Sequence, residues 1–160
     1  MNNLKISLVF LILMVSTPIT VIAEEVNIDE NLVGFDHSQQ VGLLMGNTHE
    51  GGEDGFTVGI NYVYRLSEIN GVGGLIEYSS GELDSWVIAA PLYIYPYKGL
   101  RLLLAIGFEE RNSDTEFLFR TGLGYEFEIN DKWNIIPEFK YDFVDSDEKY
   151  GYGVIFSYEF

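Results

Sequence analysis

The 160-residue sequence predicts an all-β protein: eight antiparallel strands in up-and-down order, closed into a barrel that crosses a membrane. Three observations carry this expectation. Large apolar residues alternate with small or polar ones through most of the chain after residue 37, and no stretch there holds the period of a helix. The sequence is 15% aromatic and 47% hydrophobic, yet carries 25 acidic residues, so two populations must face different solvents. The polar alternate also contains Gly59, Gly73, Gly107, Gly122, Gly124, Gly151 and Gly153. Glycine weakens a strand and gains nothing on a water-facing surface, but it makes room for long side chains in a narrow lumen.

The elements follow in order. MNNLKISLVFLILMVSTPITVIAEE opens with one basic residue, Lys5, then an apolar run from Ile6 to Val15, and reaches a cleavage-type Val21-Ile22-Ala23. That run is well short of the roughly 20 residues of a spanning helix, so residues 1–23 read as a secretory signal peptide. Residues 24–37 read as a periplasmic segment and 38–160 as the barrel domain. Strands are expected at about 38–47, 55–66, 72–79, 85–95, 100–110, 116–129, 133–143 and 150–160. In the second, Phe56, Val58, Ile60, Tyr62 and Tyr64 share one face. In the fifth the apolar face is Leu100 to Phe108 on even numbers, and in the sixth Phe117 to Ile129 on odd ones. The fourth, SWVIAAPLYIY, is apolar on both faces, and its orientation stays open. Ser67–Gly71, Pro96–Gly99 and Asn130–Lys132 read as tight turns, and Asn47–Asp54, Ser80–Asp84, Arg111–Thr115 and Val144–Lys149 as longer acidic loops outside the cell.

Removing residues 1–23 leaves 8 Lys+Arg against 25 Asp+Glu, a net charge of −17. Nucleic acid is excluded as a partner, because phosphate binding needs an excess of basic residues. The absence of Cys excludes disulfides and thiolate chemistry. Trp86, Phe117 and Phe143 fall at one rim and Trp133 and Phe127 at the other, the pattern of two interfacial aromatic girdles.

The inward charges are candidate site residues: Arg65 and Arg101 near the turn side with Glu126, Glu128 and Glu159, then Glu77, Arg120, Glu138 and Lys140 higher. Buried charges must pair, so an ion-paired plug is expected rather than a gate or proton path. Treating 111–115 as a loop sets Glu109 opposite Leu118 and pairs Arg101 with Glu126. Acidic loop residues show no metal-binding spacing, so no metal and no cofactor is expected. His49 with Asp84-Ser85 could form a base, acid and nucleophile at the outer rim. With two His in the chain, chance supplies that set cheaply.

The stretches RTGLGYEFEI and GVIFSYEF resemble late-strand segments of the small outer-membrane barrels of Gram-negative bacteria, the OmpA transmembrane domain and the OmpX/Ail group. The resemblance implies location in the bacterial outer membrane, as a monomer among outer-membrane lipid and lipopolysaccharide. It also implies that Phe156, Tyr158 and Phe160 are read by the barrel-assembly machinery. No peptidoglycan-binding domain is expected after Phe160. Some barrels of this type are lipid A acyltransferases or deacylases, but their surrounding motifs are not matched here. The expected function is a non-enzymatic surface protein with a closed lumen. A narrow porin-like channel and a lipid A-modifying enzyme at the outer rim are the alternatives.

Overall fold

The computed structural model of the chain describes residues 38–144 and 147–160. The signal peptide and periplasmic segment expected at 1–37 lie outside the described residues. The described chain holds β1 (Gln39–Glu50), β2 (Glu53–Ser67), β3 (Asn70–Ser79), β4 (Ser85–Tyr97), β5 (Leu100–Arg111), β6 (Asp114–Tyr125), β7 (Phe127–Glu128), β8 (Trp133–Val144) and β9 (Asp147–Glu159). β7 continues β6 in the same register against β8, so the nine segments make eight staves.

Every stave pairs antiparallel with its sequence neighbours, and β1 pairs with β9, so the wall closes on itself. Closure leaves no unpaired strand edge, as a wall in hydrocarbon requires. From Gln39, cross-strand partners run through Tyr64, Val72, Leu92, Leu104, Thr121, Tyr141 and Tyr150, returning to β1 at His49, ten residues on. Eight staves with that stagger tilt by about 40° and give a wall radius of about 8 Å. A lumen this narrow is filled by side chains.

The alternation decides which residues fill it. Val41, Leu43 and Met45 of β1 and Leu102, Leu104, Ile106 and Phe108 of β5 are exposed on the outer face, while Leu44, Leu103 and Ala105 are buried. β4, open in the sequence, turns Val87, Ala89, Tyr93 and Tyr95 inward and Trp86, Ile88 and Leu92 outward. Its inward residues join Val63, Leu75, Leu103, Ala105, Leu118 and Val144 in one apolar cluster. β4 therefore gives the lumen no charged side chain, its inward residues packing into this apolar cluster beside the charges of its neighbours, which is why it shows no polar face.

Two expectations are corrected. The presumed outer loops are mostly strand: β1 and β2 run on to a turn at Gly51–Gly52, and β5 and β6 to a turn at Asn112–Ser113 with φ of 52° and 73°. Asparagine and serine accept the left-handed backbone that a two-residue hairpin turn needs. Only Ser80–Asp84 remains a longer joint among the described residues. The tight turn moves β5 against β6 by two residues, so Arg101 faces Gly124 and Glu109 faces Glu116, not Leu118.

Candidate functional site

The end of the barrel carrying Gln39 and Phe160 is here the lower end. From it upward, the lumen is a stack of ion pairs. Arg65 Nη2 donates to Glu126 Oε2 at 2.7 Å, and Gln40 Nε2 donates to Oε1 of the same carboxylate at 2.6 Å. The Arg65 guanidinium lies 3.8 Å from the centre of the Tyr95 ring, a desolvated cation–π contact. Above it, fully buried Arg101 donates through Nη2 to Glu138 at 2.5 Å and lies 4.8 Å from the Tyr93 ring centre. In the next layer Arg120 grips Asp142 with two parallel bonds of 2.6 and 2.7 Å and reaches Glu77 at 2.8 Å. Lys140 shares Glu77.

Higher still, Thr57 links to Thr48 at 2.8 Å and to Ser79 at 2.9 Å. At the upper mouth Lys149 meets Glu109 at 2.6 Å and Glu50 at 3.2 Å. Arg111 bridges Glu50 at 2.8 Å and Glu53 at 2.6 Å. Leu83 turns back from the Ser80–Asp84 joint and is buried over Gly55, where an added Cβ would stand 2.9 Å from its Cδ1. Six bases thus face seven acids, and each is in at least one ion pair. Two glycines make this packing possible. A Cβ on Gly59 would stand 2.7 Å from Glu77 Cγ, and one on Gly151 would stand 2.6 Å from Lys140 Cε. A void of about 10 Å³ beside Asn61, Tyr93 and Glu138 is about the size of one water.

Seven of the nine inward charges named from the sequence, Arg65, Glu77, Arg101, Arg120, Glu126, Glu138 and Lys140, belong to this network, while Glu128 and Glu159 form no ion pair among the described residues. The expected Arg101–Glu126 pair is not formed: with the shifted register Arg101 takes Glu138, and Glu126 takes Arg65 and Gln40. Glu128 keeps the expected inward phase, in register with buried Asn134, but stands exposed at the lower rim. Asp142 was missed although it shares the inward phase of β8 with Glu138 and Lys140, a signal the alternation carries. Glu50, Arg111 and Lys149 were hidden by the assignment of their strand ends to loops, and Glu109, placed on the inward face of its strand, was left without its partner Lys149.

On the outer wall, Trp86, Phe117 and Phe143 at the upper end and Trp133 and Phe127 at the lower end are all exposed. Each touches another ring: Trp86 on Tyr78, Phe117 on Phe108, Phe143 on Phe119, Trp133 on Tyr158 and Phe127 on Tyr125, at 4.7–6.0 Å between centroids. Phe156 and Phe160 are exposed on the same face as Tyr158. The Phe160 N–H donates to the Gln39 carbonyl at 2.9 Å and makes the last rung of the β1–β9 seam.

The His49, Asp84 and Ser85 set is not assembled. His49 stands on β1 with Nδ1 2.7 Å from Asp54 and its ring on Tyr150. Ser85 is buried on the inward face of β4, with β2 and β3 between. No grouping of His, Asp and Glu among the described residues is arranged to hold a metal ion.

No protein-family model and no curated protein matches the chain. Solved structures do. The N-terminal β-barrel domain of Pseudomonas aeruginosa OprF superposes with a TM-score of 0.60 at 12% identity, covering 79% of this chain and 100% of that one. Neisserial surface protein A gives 0.54 at 12% identity over 79% and 99%. Ail, the attachment invasion locus protein of Yersinia pestis, gives 0.54 at 14% over 79% and 99%. The girdled closed wall and these likenesses together identify the fold as that of the small eight-stranded outer-membrane β-barrels.

Proposed function

We propose that this protein is a non-enzymatic outer-membrane surface protein whose lumen is a structural plug and whose interactions take place at its upper rim. The observation that supports the plug is the complete pairing of the six lumen bases with carboxylates. Charges lifted out of water are tolerable only when matched, and a matched stack has no site to offer a passing ion. The eight-stave radius agrees, since it leaves room for side chains and not for a continuous water column. The separation of His49 from Ser85 speaks against rim catalysis.

The upper rim is strongly acidic. Asp54, Glu82, Asp84, Glu110, Asp114, Glu116 and Glu148 are exposed there, while the only described basic side chains outside the lumen network besides the histidine, Lys98 and Lys132, stand at the lower turns. One Ail structure holds the heparin analogue sucrose octasulfate. An anionic rim is the wrong sign for such a polyanion, so that property is not carried over.

Planar-bilayer recording of the purified barrel tests the plug. The expected trace is flat for the native protein, with steps appearing when Arg101 and Arg120 are both shortened to Ala. Discrete steps from the native protein would replace this reading with the narrow channel.

A further inference from the structure

The outer wall carries a hollow where β6, β8 and β9 meet. A groove of about 510 Å³ is lined there by Leu123, Tyr125, Pro137, Phe139, Tyr152 and Val154, all outward-facing. Pro137 explains its position. The rungs between β6 and β8 end at Gly124–Glu138 and resume at Phe127–Ile135. Pro137 stands in the gap, with no N–H to donate to the ladder and a short side chain between Ile135 and Phe139.

Tyr125 also lines a second hollow of about 300 Å³ at the lower rim, bordered by Lys98 and Glu128. Neither Lys98 nor Glu128 forms an ion pair or side-chain hydrogen bond among the described residues. An apolar trough on the hydrocarbon face therefore joins, at one interface, a pocket offering one free cation and one free anion.

We propose that this joined hollow binds one zwitterionic phospholipid. An acyl chain lies along the trough, the phosphate meets Lys98 and the headgroup amine meets Glu128. An anionic headgroup would gain Lys98 but leave Glu128 repelled, which is what favours the zwitterion. The lower end carries the start of β1 at Gln39, the end of β9 at Glu159 and the turns at 68–69 and 98–99, and so faces the periplasm, the side where short turns of such barrels lie. This inference rests on membrane placement and is independent of whether the lumen conducts.

Native mass spectrometry of the folded barrel, released from micelles doped equally with phosphatidylethanolamine and phosphatidylglycerol of matched chains, tests it. One phosphatidylethanolamine is expected to stay on the native protein, preferred by about tenfold. Lys98→Glu and Glu128→Lys should each abolish the preference, and the double exchange should restore it by turning the headgroup round. Leu123→Trp, which fills the trough from a lipid-facing position, should lower retention of both lipids. Equal retention of the two lipids, no retained lipid, or retention indifferent to Leu123→Trp would overturn the proposal. Lys98 and Glu128 are exposed at the lower rim and Leu123 on the outer face of the wall, and heat-modifiable migration of the same samples verifies that each variant is folded.

Discussion

Arg101 and Glu138 offer the cleanest measurement of what the lumen contributes to stability, because each has the other as its single ionic partner. The Arg101 side chain is 0% exposed and the Glu138 side chain 6%, with 2.5 Å between Nη2 and Oε2. Opposite charges about 4 Å apart attract by about 4 kcal/mol at the effective dielectric that suits protein sites. Breaking a buried pair by removing one member costs about 3–5 kcal/mol, mostly for the charge left behind. Arg101→Met and Glu138→Leu should each cost about that much, while the double replacement should cost about 1 kcal/mol or less. With a urea slope of about 2 kcal/mol/M, each single change moves the midpoint by about 2 M. The assay is reversible urea unfolding in lipid vesicles, run as a double-mutant cycle. A matching cycle on Arg101 and Glu126 should be additive to within about 0.5 kcal/mol. Coupling to Glu138 below about 1 kcal/mol, or stronger coupling to Glu126, would refute both the register and the claim that these charges are dry.

Gly151→Val should destabilise by about 1–3 kcal/mol through collision with the Lys140 stem, whereas Gly74→Ala, with no heavy atom within 4 Å of the new Cβ, should be neutral or mildly favourable in the same urea assay. Deleting Phe160 should reduce the assembled fraction in cells, read by heat-modifiable migration, far more than it shifts the urea midpoint of barrel already folded; equal effects would make it merely a lost rung. A peptide tag between Gly51 and Gly52 should be labelled from outside intact cells and one at Asn70 should not, and the reverse result would invert the topology.

The wall was legible in the sequence because its two faces meet different solvents, and alternation reports solvent directly. Partners in the lumen were not. Shifting β5 against β6 by two residues leaves every side chain on the same face, so the pattern that places Arg101 inside is blind to whether it meets Glu126 or Glu138. The missing information sat in Asn112 and Ser113, a two-residue turn disguised by the polar strand ends on either side. Polar strand that rises above the hydrocarbon band looks like loop, and the same disguise concealed Glu50, Arg111 and Lys149. β4 failed for the opposite cause: its inward residues belong to the apolar cluster of the lumen, so no polarity contrast marks its faces.

The seam between β1 and β9 bears on how the molecule comes into being. Gln40 partners Glu159, so the strand made first waits for the strand made last. Until then both carry a row of backbone donors and acceptors that hydrocarbon cannot satisfy. An incomplete chain has no tolerable resting place in the bilayer, and contacts spanning the whole domain are slow to find. Biogenesis should consequently have one committed instant, when the two edges zip together, with the exposed rows shielded by another protein beforehand. The ion stack should lose its water in that same instant.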